Sequence, residues 1–181
     1  MTNATQSQFN APLLGPAKSN SEFCAFVVLP KAVSDTLPRR GRTTVEGTIN
    51  GCELKITLEP DGQLSHWMPI SEALLDTAGL KIDDVALFDI APVKQEPEPS
   101  LPTDFELALA ANTEARAVWD DTTTIARLDW IHWITSAKQS ATRKKRCQNA
   151  CDMLASGKRR VCCFDPSGYY SKAFSAPQTA K

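Results

Sequence analysis

The stretch TTVEGTINGCELKITL, residues 43–58, decides the fold of the first half of this chain. Apolar and polar side chains alternate along residues 43–49 and again along residues 52–58, which is the two-residue period of a half-buried strand. Asn50-Gly51 stands between the two runs, and both residues tolerate the positive φ that a tight hairpin turn requires. The stretch therefore predicts a β-hairpin.

Further β-type segments surround this hairpin. Strands are predicted over residues 23–29, 63–69 and 84–90, with a turn at Pro60-Asp61-Gly62. Ser71 is a good N-cap for a short helix over residues 72–78, which Gly79 ends. A meander of this kind with one small helix predicts a compact β-barrel domain over residues 21–91.

The second half has a different pattern. Four prolines in residues 91–102 disfavour helix and central strand, so residues 92–102 are predicted to form a linker or a surface strap. Residues 103–164 show helical spacing and predict four helices. Thr103 with Glu106 is typical of a capping box that opens the first of them. The chain is therefore expected to be α+β, with a disordered N-terminus over residues 1–20 and a flexible tail over residues 165–181.

The other three helices are predicted over residues 113–119, from Thr123 or Thr124 onward, and from Ser140 or Thr142 to Ser156. The last of these helices carries the basic residues that matter most for function.

Composition places the chain among soluble proteins. It has 181 residues, of which 42% are hydrophobic and 23% charged, which is ordinary for a globular protein. No apolar run reaches the roughly 18–20 residues that span a bilayer, and no signal-peptide pattern opens the chain. We therefore expect a cytoplasmic protein without membrane insertion, in which the six cysteines stay reduced.

Positive charge is concentrated near the end of the chain. Residues 138–181 contain ten Lys/Arg and two acidic residues, whereas residues 1–137 contain ten and nineteen. One basic cluster, TRKKR at residues 142–146, lies in the first turn of the fourth helix, where a cation opposes the helix dipole at about 0.3–1 kcal/mol. The second, KRR at residues 158–160, follows the helix end, where cations are favoured. The candidate anion-binding residues are Ser140, Thr142, Arg143, Lys144, Lys145, Arg146, Lys158, Arg159 and Arg160.

Two kinds of binding partner are possible for these cations. They could bind an external anionic partner, which could be a nucleic acid, a phosphorylated metabolite or an acidic protein surface. They could instead pair with acids of the protein itself, within the chain or across a homodimer. Arg143 falls on the apolar face of its helix, so it should have an acidic partner, with Asp120, Asp121 and Asp129 as candidates.

Catalytic and metal-binding signatures are weak. The sequence has no Gly-x-Ser-x-Gly, His-Glu-x-x-His or Walker motif, and His66 and His132 are expected to be structural. We therefore predict a protein that is not an enzyme and uses no cofactor. A small-molecule enzyme with a site between barrel and helices is the least favoured alternative. A weak metal candidate is the set Cys147, Cys151, Cys162 and Cys163.

The quoted residues also resemble two known families. Residues 23–30, RRG at 39–41 and VEGTING at 45–51 resemble a small barrel domain of unknown function found in bacterial proteins. The helical half resembles the YdeI/OmpD-associated, or bacteriocin-protection, family through WI at 133–134, AK at 137–138, Thr142-Arg143 with Arg146, and GKRR at 157–160. This resemblance implies a double-split β-barrel, the architecture of AbrB- and MazE-like transcription factors, followed by a helical domain.

For function, the resemblance implies an association with envelope stress and antimicrobial-peptide resistance, and it supplies no catalytic residue. Because fold does not fix function, the DNA-binding role of AbrB-like barrels does not carry over to an acidic barrel half. Together with the basic helix, the resemblance predicts a non-catalytic binding or regulatory protein. The alternative is a structural or interaction module whose basic helix pairs with its own acidic residues.

Overall fold

The computed structural model describes residues 4–181, which form two compact units. The β unit consists of residues 4–95 together with Ser167–Lys181, and the helical unit is Glu96–Pro166. The chain is α+β, with a curled antiparallel sheet followed by helices, as the sequence predicts.

The β unit is one six-stranded antiparallel sheet with two short helices. Its strand order is β1-β6-β3-β4-β5-β2. The predicted hairpin is confirmed, because β3 and β4 pair from Thr43↔Leu58 to Ile49↔Cys52. The elements in chain order are β1 (Ser7–Pro12), β2 (Ala25–Val28), α1 (Lys31–Ser34), β3 (Thr43–Ile49), β4 (Cys52–Pro60), β5 (His66–Ile70), α2 (Glu72–Ala78) and β6 (Val85–Pro92).

The sheet curls around a single apolar core. Leu14, just after β1, exchanges two backbone hydrogen bonds of 2.9 and 2.8 Å with Phe26 in β2, which brings the two edges of the sheet together. Gly47 has φ 154°, and a Cβ there would lie 1.9 Å from the carbonyl oxygen of Asp89, so only glycine lets β6 approach β3 this closely. The fully enclosed side chains include Leu13, Val27, Val45, Ile49, Leu58, Met68, Ile70 and Phe88.

The N-terminal residues differ from the expectation of disorder up to residue 20. β1 pairs with β6 from Ser7↔Ile90 to Pro12↔Val85, and Phe9 stacks on Phe88 with ring centroids 5.1 Å apart. Alternate residues of this segment are buried, a strand pattern that its polar composition hides. Apolar burial at every second position therefore orders the segment.

The C-terminal residues also differ from the expected flexible tail over residues 165–181. Thr179 forms a β-bridge with Pro16, and Ala180 donates a backbone hydrogen bond of 2.8 Å to Gly15. Phe174 passes so close to Gly62 that a Cβ at Gly62 would lie 2.0 Å from its carbonyl oxygen. Ser167–Lys181 is thus attached to the β unit by backbone contacts that local sequence signals do not reveal.

The helical unit contains the four predicted helices, α3 (Thr103–Ala110), α4 (Thr113–Asp120), α5 (Thr124–Thr135) and α6 (Ser140–Ala155). Its core is formed by Phe105, Leu109, Trp119, Trp130, Ile134, Ala150 and Leu154. Within the described residues, no helix has the length and apolar character needed to cross a bilayer.

Among the described residues, a side-chain N-cap bond marks three of the six helix starts, those of α2, α4 and α5. Thr123 accepts a hydrogen bond of 3.1 Å from the backbone of Ala126, which confirms the predicted start of α5. The predicted capping box at Thr103 does not form. Pro102 takes the N-cap position with extended backbone, so Thr103 becomes the first helical residue and has no cap role.

Candidate functional site

Helix α6 carries most of the predicted site residues, and its pattern determines which of them face solvent. Cys147, Ala150, Cys151 and Leu154 are all buried on one face. Lys144 and Lys145 are exposed. The N-cap residue, Gln139, makes no side-chain cap bond, and the first turn has no acidic residue. The helix dipole and the basic side chains therefore both contribute positive potential at this end of α6, and no capping side chain offsets it.

Arg143 is held by an internal ion pair. Its Nε donates to Oδ2 of Asp104 at 2.7 Å, and its Nη2 donates to Oδ1 at 3.1 Å. The guanidinium holds the pKa of Asp104 below its usual range, mainly through these hydrogen bonds. An internal acidic partner was expected for Arg143, and it is present.

The identity of that partner corrects the sequence analysis, which named Asp120, Asp121 and Asp129. Asp120 binds Arg116 one turn away on α4, and Asp121 binds Arg159. Asp104 is the partner because α3 packs against α6, so the first turns of the two helices lie together. The two residues are 39 positions apart, and no local signal connects them.

Arg146 connects α6 to the end of α5. Its Nη1 donates to the carbonyl oxygen of Trp133 at 2.6 Å and to Oγ of Ser136 at 3.1 Å. Its guanidinium also lies over the Trp133 ring, 5.3 Å from the centroid. A cation at the C-terminal carbonyls of a helix is favourable for both the hydrogen bond and the dipole. Arg146 is therefore part of the helix packing.

Arg159 secures the segment that follows α6. It donates to the backbone carbonyl of Asp121 at 2.6 Å and also binds the Asp121 carboxylate. The indole Nε1 of Trp130 donates to the carbonyl oxygen of Arg159 at 3.1 Å. Three of the seven predicted cations are thus paired within the helical unit.

The other predicted site residues are exposed. In the part of the chain that the structure describes, they make no side-chain hydrogen bond or ion pair. They are Ser140, Thr142, Lys144, Lys145, Lys158 and Arg160. Whether they bind an anion remains a prediction.

Charge within the helical unit is balanced. Glu96–Pro166 contains ten Lys/Arg and ten Asp/Glu, so the basic stretch of sequence shares its unit with an equal number of acids. The lopsided charge along the chain therefore does not produce a net cationic domain.

A groove lies beside the basic helix, and sequence reasoning did not find it. It has a volume of about 640 Å³ and is bordered by α3, by Ala111 and Asn112 in the turn after α3, and by α6. Leu107, Ala108 and Ala111 contribute apolar surface from α3 and its end, and Leu107 is 67% exposed. The Arg143–Asp104 pair and Lys144 lie at its rim. An exposed leucine in the pattern of α3 is the one signal that could have indicated this surface.

The thiols along this groove are poor nucleophiles. Burial raises the pKa of Cys147 to about 11, with a smaller contribution from the carboxylate of Asp104. Burial also raises the pKa of Cys151. At neutral pH both side chains are therefore protonated and behave as small apolar groups.

The four cysteines of the weak metal candidate separate into two pairs. Cys147 and Cys151 are buried on α6, whereas Cys162 and Cys163 are exposed in the segment after it. Among residues 4–181, no three His, Cys, Asp or Glu side chains are arranged to hold a metal ion. The four-thiol arrangement is not formed.

Both histidines are enclosed. His66 lies within hydrogen-bond distance of Ser34 Oγ through Nδ1, at 2.7 Å, and of the Gly41 carbonyl through Nε2, at 2.9 Å. Because a carbonyl only accepts, Nε2 carries the proton and Nδ1 accepts from Ser34. Burial lowers the pKa of His66, which keeps it neutral. His132 is also buried, edge-on against Phe164.

Two family models match the chain over the two units just described. The model of a domain of unknown function, DUF1905, matches residues 9–90, which run from β1 to β6. The model described as bacteriocin-protection, YdeI or OmpD-associated matches residues 98–157, which contain α3 to α6. None of the curated proteins compared with the chain matches it significantly. The helical unit is thus similar to the bacteriocin-protection, YdeI or OmpD-associated family over residues 98–157, and the β unit is similar to DUF1905 over residues 9–90.

Proposed function

We propose that this protein is a non-catalytic binding protein whose helical unit takes an acidic, amphipathic segment of a protein partner. The observation that carries the proposal is the open apolar groove between α3 and α6, with exposed Leu107 on one side and Lys144 at the rim. The family description names bacteriocin protection, and a binding role in that process is the function that this geometry supports best.

The apolar part of the groove supplies the affinity. Leu107 is 67% exposed, and contiguous apolar surface of this kind is costly to leave in water. Burying most of a leucine side chain contributes about 1–2 kcal/mol. An amphipathic helix that lays its apolar face into the groove would recover this energy.

The charged part supplies the preference for an acidic partner. Arg143 is already neutralised by Asp104, so the available cations at this end of α6 are Lys144 and Lys145. Both lie in the first turns, where the helix dipole adds to their potential. Carboxylates of a partner that meet them would speed association and exclude basic competitors.

Nucleic acid is less well supported as the partner. Apart from Arg159, which is bound to Asp121, the exposed predicted cations form two separate pairs, Lys144 with Lys145 and Lys158 with Arg160, and exposed Asp152 lies between them in sequence. At 1.5 Å per residue, the helical stretch from Lys145 to Ala155 that separates the pairs is about 15 Å long. Phosphate backbones are bound most tightly by several cations that act together along one track.

Two further features fit this proposal. The protonated state of Cys147 and Cys151 leaves the groove without a thiolate nucleophile. All six cysteines are free thiols, which is the state that a reducing, cytoplasmic compartment maintains.

Selection of 16-residue peptides from a displayed random library, with the full-length protein as bait, tests the proposal. We expect enriched peptides to combine Asp or Glu with Leu, Met or Phe at helical spacing. Leu107→Lys should weaken their binding at least tenfold, because it places a charge against the apolar surface. Lys144→Gln with Lys145→Gln should weaken binding mainly at low ionic strength.

Val85→Lys is the matched control. Val85 is 64% exposed in β6 of the other unit, so this substitution makes a comparable change away from the groove and should leave peptide binding intact. Enrichment of basic peptides, or equal losses in Leu107→Lys and Val85→Lys, would contradict the proposal. Binding of labelled duplex DNA at low salt that Lys144→Gln with Lys145→Gln abolishes would favour nucleic acid instead.

A further inference from the structure

Cys162 and Cys163 are adjacent in sequence and both exposed. Their sulfur atoms are 3.2 Å apart. Side chains of neighbours in extended backbone point in opposite directions. Here Cys163 has φ 59°, in the left-handed region, and this local conformation turns both thiols to the same side.

Contacts on both sides keep this pair in place. Before it, Arg159 is bound to Asp121, and its carbonyl oxygen accepts from the Trp130 indole. After it, Phe164 packs edge-on against His132 with ring centroids 5.3 Å apart. The segment between Arg159 and Phe164 is thus anchored at both ends, so the two thiols are presented together without a large cost in ordering.

Closure of the pair to a disulfide is unfavourable. Consecutive Cα atoms joined by a trans peptide are about 3.8 Å apart, and protein disulfides usually require about 4.4–6.8 Å. The described residues contain no cis peptide bond, so this limit applies to Cys162 and Cys163. The pair therefore resists oxidation to a simple disulfide and stays available as a dithiol.

The separation of the sulfur atoms favours a particular geometry of chelation. With bonds of about 2.3 Å from sulfur to a soft ion, two sulfur atoms 3.2 Å apart subtend roughly a right angle at that ion. Tetrahedral zinc needs a wider angle and four ligands, and no third metal-binding side chain joins the pair within the described part of the chain. Trivalent arsenic has pyramidal bonds close to a right angle, and a singly substituted organoarsenical needs only two thiols.

We propose that Cys162 and Cys163 form a dithiol site that binds a singly substituted trivalent organoarsenical. Two As–S bonds form, and the oxygen of the arsenical leaves as water with both thiol protons. No atom changes oxidation state, so the step needs no oxidant or reductant. The site is independent of the groove and of the proposed partner.

The other cysteines provide an internal comparison. Cys147 and Cys151 are also neighbours, one turn apart on α6, but each is only 5% exposed. Burial raises the pKa of both thiols. Cys24 and Cys52 are partly buried, and each lies in a different strand or loop of the β unit. Selective reaction should therefore occur at the exposed pair.

Intact-mass measurement of the reduced full-length protein with phenylarsine oxide tests this inference. We expect one adduct per chain, formed with loss of one water, that maps to the peptide containing Cys162 and Cys163. A dithiol such as dimercaptopropanol should remove it, and glutathione at the same thiol concentration should not. Cys162→Ser and Cys163→Ser should each weaken binding on the order of 100-fold, because the second bond is an intramolecular one.

Cys147→Ala with Cys151→Ala is the matched control and should leave the adduct unchanged. An adduct that maps to Cys147 and Cys151, or one that glutathione removes as readily as the dithiol, would overturn the inference. Equal binding by the wild type and the two serine variants would overturn it as well. Far-UV circular dichroism of each variant confirms that the fold is retained.

Discussion

The ion pair between Arg143 and Asp104 joins the first turns of α6 and α3 at the rim of the groove. A double-mutant cycle with Arg143→Gln, Asp104→Asn and the double variant measures what this pair contributes to the free energy of unfolding. The side chains are 35% and 45% exposed, so solvent weakens the Coulomb attraction. The two charge-assisted hydrogen bonds, at 2.7 and 3.1 Å, strengthen the pair.

Exposed ion pairs contribute about 0.2–1 kcal/mol, and the bidentate geometry places this one near the upper limit, at about 1 kcal/mol. The single variants should differ from each other because of the helix dipoles. The negative charge of Asp104 interacts favourably with the dipole of α3, by about 0.5 kcal/mol, because it lies in the first turn. The positive charge of Arg143 interacts unfavourably with the dipole of α6 by about the same amount. We therefore expect losses of about 1.5 kcal/mol for Asp104→Asn, 0.5 for Arg143→Gln and 1 for the double variant.

Urea denaturation followed by tryptophan fluorescence suits this cycle. Trp119, Trp130 and Trp133 lie in the helical unit, and a Trp67→Phe background removes the one tryptophan of the β unit. Because the pKa of Asp104 is lowered in the folded state, the pair stabilises fully above the unfolded value of about 3.9. This contribution is lost as the pH falls through the lowered folded pKa.

The coupling energy should therefore be near 1 kcal/mol at pH 7 and shrink at the lowest pH at which the helical unit stays folded. A coupling energy below about 0.2 kcal/mol at pH 7, or one that persists unchanged in acid, would refute the reasoning. The Arg116–Asp120 pair serves as a control. Its side chains are 44% and 59% exposed, and its coupling energy should not exceed about 0.5 kcal/mol.

Three further predictions concern stability, each measured by urea denaturation. Arg146→Gln should lower the free energy of unfolding of the helical unit by about 2–3 kcal/mol, because it removes the charged hydrogen bonds to α5, whereas Lys145→Gln should change it by less than about 0.5 kcal/mol. The β unit should lose stability as the pH falls below about 6.5, because the folded pKa of His66 is lowered and the neutral form is the stable one. His66→Gln should lack this component, and an identical pH dependence in that variant would contradict the assignment. Gly47→Ala should cost more than about 3 kcal/mol, because its Cβ would meet the Asp89 carbonyl, whereas Gly51→Ala meets no atom and should cost about 1–2 kcal/mol; equal losses would argue against the close β3–β6 approach.

Local signals predicted the elements that depend on local chemistry. Asn50 and Gly51 both adopt positive φ, and the hairpin around them is the one that the sequence predicts. Ser71 and Gly79 bound α2 at the predicted residues. These features involve neighbours within a few positions, so the sequence contains the information needed to place them.

Elements that depend on distant partners were not visible in the sequence. β1 is stabilised by β6, and Ser7 and its partner Ile90 are far apart along the chain. The groove exists only because α3 and α6 pack against each other. A strand with a polar composition shows little hydrophobic periodicity in its sequence, and a groove between helices produces no periodic pattern at all.

The basic stretch near the end of the chain shows most clearly what the sequence determines and what depends on tertiary packing. The sequence by itself determined which residues carry charge, that a helix starts among them, and that Arg143 lies on the apolar face of that helix. The tertiary structure decided that Arg143, Arg146 and Arg159 are paired, and that Lys144 remains exposed beside a groove. Coulomb attraction and hydrogen bonds act over a few ångströms, so the outcome for each cation depends on which helices pack together and not on its position along the chain.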